Sequence, residues 1–189
     1  MLRFIRTRFV PVVSAVVIAG AALPASVRAE TGPLQTGGFT VEHTLTLPGT
    51  PEAIYDAISG DISPWWDHTF SGDPARFYIE AKPGGGFMEI MKGGRGGVRH
   101  ATVIYADRGK ALRFEGPLGL SGYAIQMVHT YTFEAVGPDS TRLSLSVHAA
   151  GEIQDGWAEA VDRTWHHFLF DRFKPYVESG RAGGRDARR

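Results

Sequence analysis

Glu89 and His129 are ionisable residues on strand faces that are otherwise apolar. Glu89 shares a parity with Phe87 and Met91, and His129 shares one with Ile125, Met127, Tyr131 and Phe133. A polar group turned into an apolar interior costs free energy unless it is paired. If both residues face inward they can pair, and His129 then has the chemistry of a general base or a ligand anchor. Two other readings stand beside this one: a purely structural hydrogen-bonded pair, or a bulge that turns Glu89 outward. Arg99 and His100 alternate on one strand, so one of them also points inward. An inward Arg99 would suit a carboxylate-bearing ligand. An inward His100 would need partners that the sequence does not identify.

The stretch SPWWDHTFSG (63–72) sets Trp65 and Trp66 directly before Asp67 and His68. Neighbours on a helix point ~100° apart, which speaks against Asp67 and His68 acting as one dyad. The tryptophans read as core packing or as the wall of a pocket. His166 and His167 are adjacent, whereas metal ligation from one helix needs a spacing of three or four. No other pair among the seven histidines has a metal spacing, and the chain has no cysteine, so neither a metal nor a cofactor is expected. The segment KGGRGG (92–97) has its lysine before the glycines and a strand after them, and reads as a hairpin turn rather than a phosphate loop.

The elements that must position these residues follow from periodicity. Residues 39–47 alternate as a strand. Thr50 and Pro51 then open a short helix over 51–59, and Ser63-Pro64 begins a second short helix or turn. Strands follow from about 75 to 81 and over 87–91, 98–106, 110–116, 123–136 and 141–150. A long helix from about 155 to 177 closes the chain. Its stripe is Trp157, Val161, Trp165, Phe168 and Leu169, and Pro175 is expected to kink or stop the last turn.

Residues 1–29 have the layout of a secretory signal peptide: arginines, an apolar run over 10–23, and Val27-Arg28-Ala29 before the cleavage point. Cleavage would remove Arg3, Arg6, Arg8 and Arg28 from a chain of 20 basic and 20 acidic residues, leaving a net charge of −4. Such a domain has no electrostatic footprint for nucleic acid. Residues 30–37 read as a linker and 179–189 as a disordered basic tail. The expected location is periplasmic or secreted, with no stable membrane anchor after cleavage.

The order of elements resembles the helix-grip fold of the SRPBCC (START-like) superfamily, in its polyketide cyclase and chaperone-ATPase-activator branch. The resemblance covers 38–178 and rests on TPEAIYDAIS, the WW pair, KPGGGFMEI, VRHATVIYADRGKALRFEG and the tryptophan-rich last helix. It implies an α+β domain with a curved seven-stranded antiparallel sheet around a long C-terminal helix. Two short helices would lie between strands 1 and 2, and a cavity between sheet and long helix. The cavity is expected to be lined by Trp65, Trp66, Phe77, Phe87, Phe114, Tyr123, Met127, Tyr131, Trp157, Trp165 and Phe168, with Glu89 and His129 orienting the ligand. The function that follows is an exported protein binding a small apolar or aromatic ligand, lipid-like molecules included. The alternative is a cyclase- or dehydratase-like enzyme moving protons with His129 and Glu89. A protein-binding adaptor is a third class, which the export segment disfavours because such partners use ATP in the cytoplasm.

Overall fold

Alternating strands with one apolar face can bury it only against another element, and here a single sheet closes on the last helix. In this computed structural model residues 32–182 are described. The expected signal segment, and the tail beyond residue 182, lie outside the described residues.

The strands are β1 (Thr36–Pro48), β2 (Gly60–Asp61), β3 (Pro74–Ile79), β4 (Gly86–Met91), β5 (Gly97–Asp107), β6 (Ala111–Glu115), β7 (Ile125–Gly137) and β8 (Ser140–Glu152). They form one antiparallel sheet in the order β1-β8-β7-β6-β5-β4-β3-β2. The sheet has one strand more than the seven expected, because the two-residue β2 pairs with β3. β1 starts at Thr36, two residues inside the stretch read as linker.

Parity decides burial where the strands are regular. On β7, Ile125, Met127, His129, Tyr131 and Phe133 are buried, as are Leu143, Leu145, Val147 and Ala149 on β8. Tyr123, expected to continue the β7 series, precedes the strand and is exposed. β1 pairs β8 over thirteen unbroken positions. His43, the one polar residue of its inward series, reaches Asp162 on the closing helix at 3.1 Å.

Helix α1 (Pro51–Ile58) begins as its sequence dictates. Thr50 Oγ1 accepts the Ala53 N–H at 3.3 Å and Pro51 occupies the first turn. The second short helix shrinks to a single turn, in which the amides of Trp65 and Trp66 both donate to the Ile62 carbonyl. Asp61 accepts the amide and hydroxyl of Ser63, so the chain turns before a helix can extend.

The closing helix changes its winding along its length. α2 (Trp157–His166) is followed by a π-helical stretch (His167–Phe173) and then by α3 (Lys174–Glu178). In a regular α-helix the ring of Pro175 would meet the carbonyl four residues back. The wider π turn relieves that clash, and the Lys174 amide donates to the Leu169 carbonyl, five residues back. The chain therefore runs on past Pro175 instead of stopping there. Among the described residues, no helix is long and apolar enough to cross a membrane.

Candidate functional site

A cavity of about 480 Å³ lies between the sheet and α2. Trp157, Val161, Thr164, Trp165 and Phe168 of the closing helix form one wall, and Met127 of β7 another. The tryptophan turn and the loop after it supply Trp66, His68, Thr69 and Phe70, while residues 117–120 close the remaining side. Leu118 holds its backbone at φ 48°, a left-handed value that is uncommon for a branched side chain.

Of the residues expected to line a cavity, Trp66, Met127, Trp157, Trp165 and Phe168 do so. Trp66 stacks flat on Phe168 with ring centroids 3.7 Å apart. Trp65, Phe77, Phe87, Phe114 and Tyr131 are buried in the core behind that lining. Trp65 packs against Phe173, pinning the turn to the helix. Tyr123 stands at the rim, its ring edge-on to Trp157. The adjacent tryptophans thus divide the two roles between them, one in the core and one on the cavity wall.

Glu89 and His129 do not pair. Both are fully buried, but Glu89 Oε1 accepts the Ser71 amide at 2.7 Å, and Oε2 accepts the Phe70 amide at 2.8 Å and His100 Nε2 at 3.2 Å. Burial pushes the Glu89 carboxyl up, yet the donors of Ser71, Phe70 and His100 outweigh it and hold the group below the usual carboxylate range. Glu89 is therefore an ionised peg that docks the loop over 68–73 onto β4. His129 lies elsewhere, stacked on Phe114 at 4.9 Å, and neither of its nitrogens has a hydrogen-bond partner among the described residues. Burial drives its pKa down to about 3, against a weak opposing pull from the Phe114 backbone. This neutral imidazole does not border the cavity and is not joined to Glu89, so the two do not form the expected pair.

The partner of Glu89 is His100, on the strand whose inward face parity leaves open. β4 and β5 pair Phe87 with Ala101 and Met88 with Arg99, so His100 is the extra residue of a bulge. The bulge buries both His100 and Ala101 and leaves Arg99 exposed. Gly116 permits it, because a Cβ there would sit 2.5 Å from the His100 carbonyl oxygen. His100 lines the cavity, ringed by Phe70, Phe77 and Phe87 at centroid distances of 5.3–5.5 Å. Burial lowers its pKa, partly opposed by Glu89, so the ring is neutral at pH 7.

At the cavity edge the fold joins two histidines that lie far apart in sequence. Asp67 accepts from His68 Nδ1 at 2.8 Å and from His167 Nε2 at 3.0 Å, and Arg172 Nε lies 3.2 Å away. His166 turns aside and stacks on Phe170. Spacing along one helix misses this cluster, because its members come from two segments. The ligating atoms of Asp67, His68 and His167 lie within 4.8 Å of one another, but a divalent cation there would have to displace the Arg172 guanidinium. The cluster works as an ion-pair knot that ties the tryptophan turn to the helix, reinforced by Arg172 donating to the Trp65 carbonyl.

Burial raises the Asp67 carboxyl, but His68, His167 and Arg172 together bring it below the ordinary value. A depressed carboxylate stabilises the fold above its unfolded pKa and loses that effect as pH falls through its folded one. Asp67→Ala is accordingly expected to cost about 1 kcal/mol or less at pH 7, a limit set by solvent screening of a partly exposed group. Urea unfolding should show the difference between variant and wild type shrinking as pH falls below the usual carboxylate range, and shrinking also in 1 M salt, where charges are screened beyond about 3 Å. A difference that does not shrink with falling pH or added salt would mean that packing, not charge, is what the substitution removes.

No protein-family model and no curated protein matches the chain. Solved structures do. A protein from Mesorhizobium loti superposes with a TM-score of 0.54 at 17% identity, covering 75% of this chain and 98% of its own. One from Chromobacterium violaceum gives 0.52 at 18%, covering 74% and 96%. The Aha1 dimer from Colwellia psychrerythraea gives 0.51 at 18%, also covering 74% and 96%. The fold is that of the helix-grip proteins, a curved antiparallel sheet gripping a long C-terminal helix. At such identities the likeness is one of architecture.

Proposed function

We propose that the protein is an exported binding protein that holds one small apolar or aromatic ligand, lipid-like molecules included, between its sheet and α2. The observation that carries this reading is the cavity, of about 480 Å³ and walled by Trp66, Trp157, Trp165 and Phe168. Sites for small molecules span roughly 300–1,000 Å³, with mostly apolar walls and a few placed polar groups. Export rests on the charge and hydropathy pattern of residues 1–29.

Native mass spectrometry of the protein taken from its exported location tests the proposal. A discrete extra mass, lost on denaturation, is the expected result. Val161→Trp, which fills the cavity from the helix side, should abolish that mass while leaving the circular dichroism spectrum unchanged. An apo mass in the wild type under all conditions, or an adduct that persists in Val161→Trp, would count against a ligand in this cavity.

A further inference from the structure

We infer that the cavity selects a ligand carrying an acidic hydroxyl, a phenol or an enol, whose O–H donates to Nδ1 of His100. The inference rests on the binding role proposed above and specifies the chemistry of the same site.

The polar groups on the cavity wall are few, and most are already engaged. Thr164 donates its hydroxyl to the Ala160 carbonyl, and Thr69 Oγ1 accepts the Gly72 amide. His68 turns Nδ1 to Asp67 and is 59% exposed, so water can serve its other nitrogen. His100 differs from these in being 5% exposed and set in an aromatic collar.

Its protonation pattern follows from its neighbours. Glu89 is ionised and therefore only accepts, so the proton on a neutral His100 must sit on Nε2, which faces it. That leaves a lone pair on Nδ1. This atom has no hydrogen-bond partner among the described residues, and it is not sealed off as the nitrogens of His129 are. A buried lone pair in an apolar pocket is satisfied by a ligand donor and left unpaired by a ligand without one. A ligand carboxylate or carbonyl is an acceptor as well and meets only a second lone pair. The Glu89 charge behind the ring makes Nδ1 a stronger acceptor, which favours an acidic O–H over a weakly polar N–H.

Three naphthalene probes of one frame test this on the full chain: 2-naphthol, 2-methoxynaphthalene and 2-naphthoate. Titrations followed by calorimetry are expected to show 2-naphthol binding about tenfold or more tighter than its methyl ether, because the ether leaves Nδ1 unpaired. Naphthoate should bind no better than the ether. Excited bound naphthol should pass its proton to Nδ1 and emit as naphtholate. In His100→Phe the preference for naphthol over ether should fall to within about twofold, and the naphtholate emission should disappear. Equal affinities for naphthol and ether in the wild type would overturn the inference without any variant. So would a preference that survives in a folded His100→Phe. Failure of all three probes to bind would overturn the cavity reading itself and this inference with it, an outcome distinct from binding without preference.

Discussion

Replacing His129 by phenylalanine is expected to stabilise the protein and to remove much of its sensitivity to mild acid. The ring is fully buried, stacks on Phe114 and lies 5.4 Å from Trp165, a setting that an aromatic hydrocarbon suits. Both nitrogens lack partners among the described residues, and an unmet buried polar atom costs about 1–3 kcal/mol. Phenylalanine is slightly larger, and overpacking can return about 1–3 kcal/mol of that gain. The pH dependence is therefore the cleaner signal. Burial holds the folded pKa near 3, whereas the unfolded ring titrates near ~6.5. Between those values the unfolded state binds the extra proton, so stability falls as pH falls, by about 1.4 kcal/mol per unit. The effect is absent above the unfolded value and complete only below the folded one. Its full extent is on the order of 5 kcal/mol. Urea unfolding of both proteins at pH 7.5, 5.5 and 4.5 should show the advantage of the variant growing at each step. Parallel curves would mean that the ring protonates within the fold.

Glu89→Ala is expected to be the most damaging single substitution at the site. It strips the acceptor from the Phe70 and Ser71 amides and from His100 Nε2 at once. Breaking a buried, charge-assisted network of this sort costs about 3–5 kcal/mol. The loss should concentrate in the loop over 68–73, where Phe70 is already 52% exposed. Hydrogen exchange can localise it: the Phe70 and Ser71 amides should become as fast as a free loop, while β7 and β8 keep their protection. Glu89→Gln, which retains one acceptor oxygen, should show an intermediate effect. Because the carboxyl is held below its usual range, the stabilisation it confers at neutral pH is lost as pH falls through its folded pKa. If both amides stay protected in the alanine variant, the loop is held by something other than Glu89.

The residues that parity and helical spacing could read were those in regular elements. The inward series of β7 and β8, the stripe of the closing helix and the Thr50-Pro51 start of α1 all follow from local pattern. The site is formed where those patterns break. A single extra residue in β5 turns His100 inward, and no periodicity reports it in advance. Glu89 could be recognised as needing a partner, but the partner was settled by that bulge and by a loop nineteen residues back in the chain, both matters of tertiary contact. Asp67 and His167 are a hundred residues apart, which is why spacing within a helix could not join them. The stretch over 117–120 has little hydropathy pattern, yet it forms one side of the cavity.

The change of winding in the closing helix bears on how long the proposed ligand would stay bound. Helical turns stabilise one another through successive hydrogen bonds of one spacing, and at His167–Phe173 that spacing widens from four residues to five. α2 follows Gly156 with no side-chain cap and buries only Trp165, whereas Phe173 at the end of the π stretch, and Tyr176 and Val177 after it, are buried in the core. Fraying of the ten residues of α2 therefore need not spread to the rest of the helix. For a ligand held as proposed, residence time would then be governed by a local fluctuation of one segment, and the ligand could leave while the sheet and its anchored helix end remain intact.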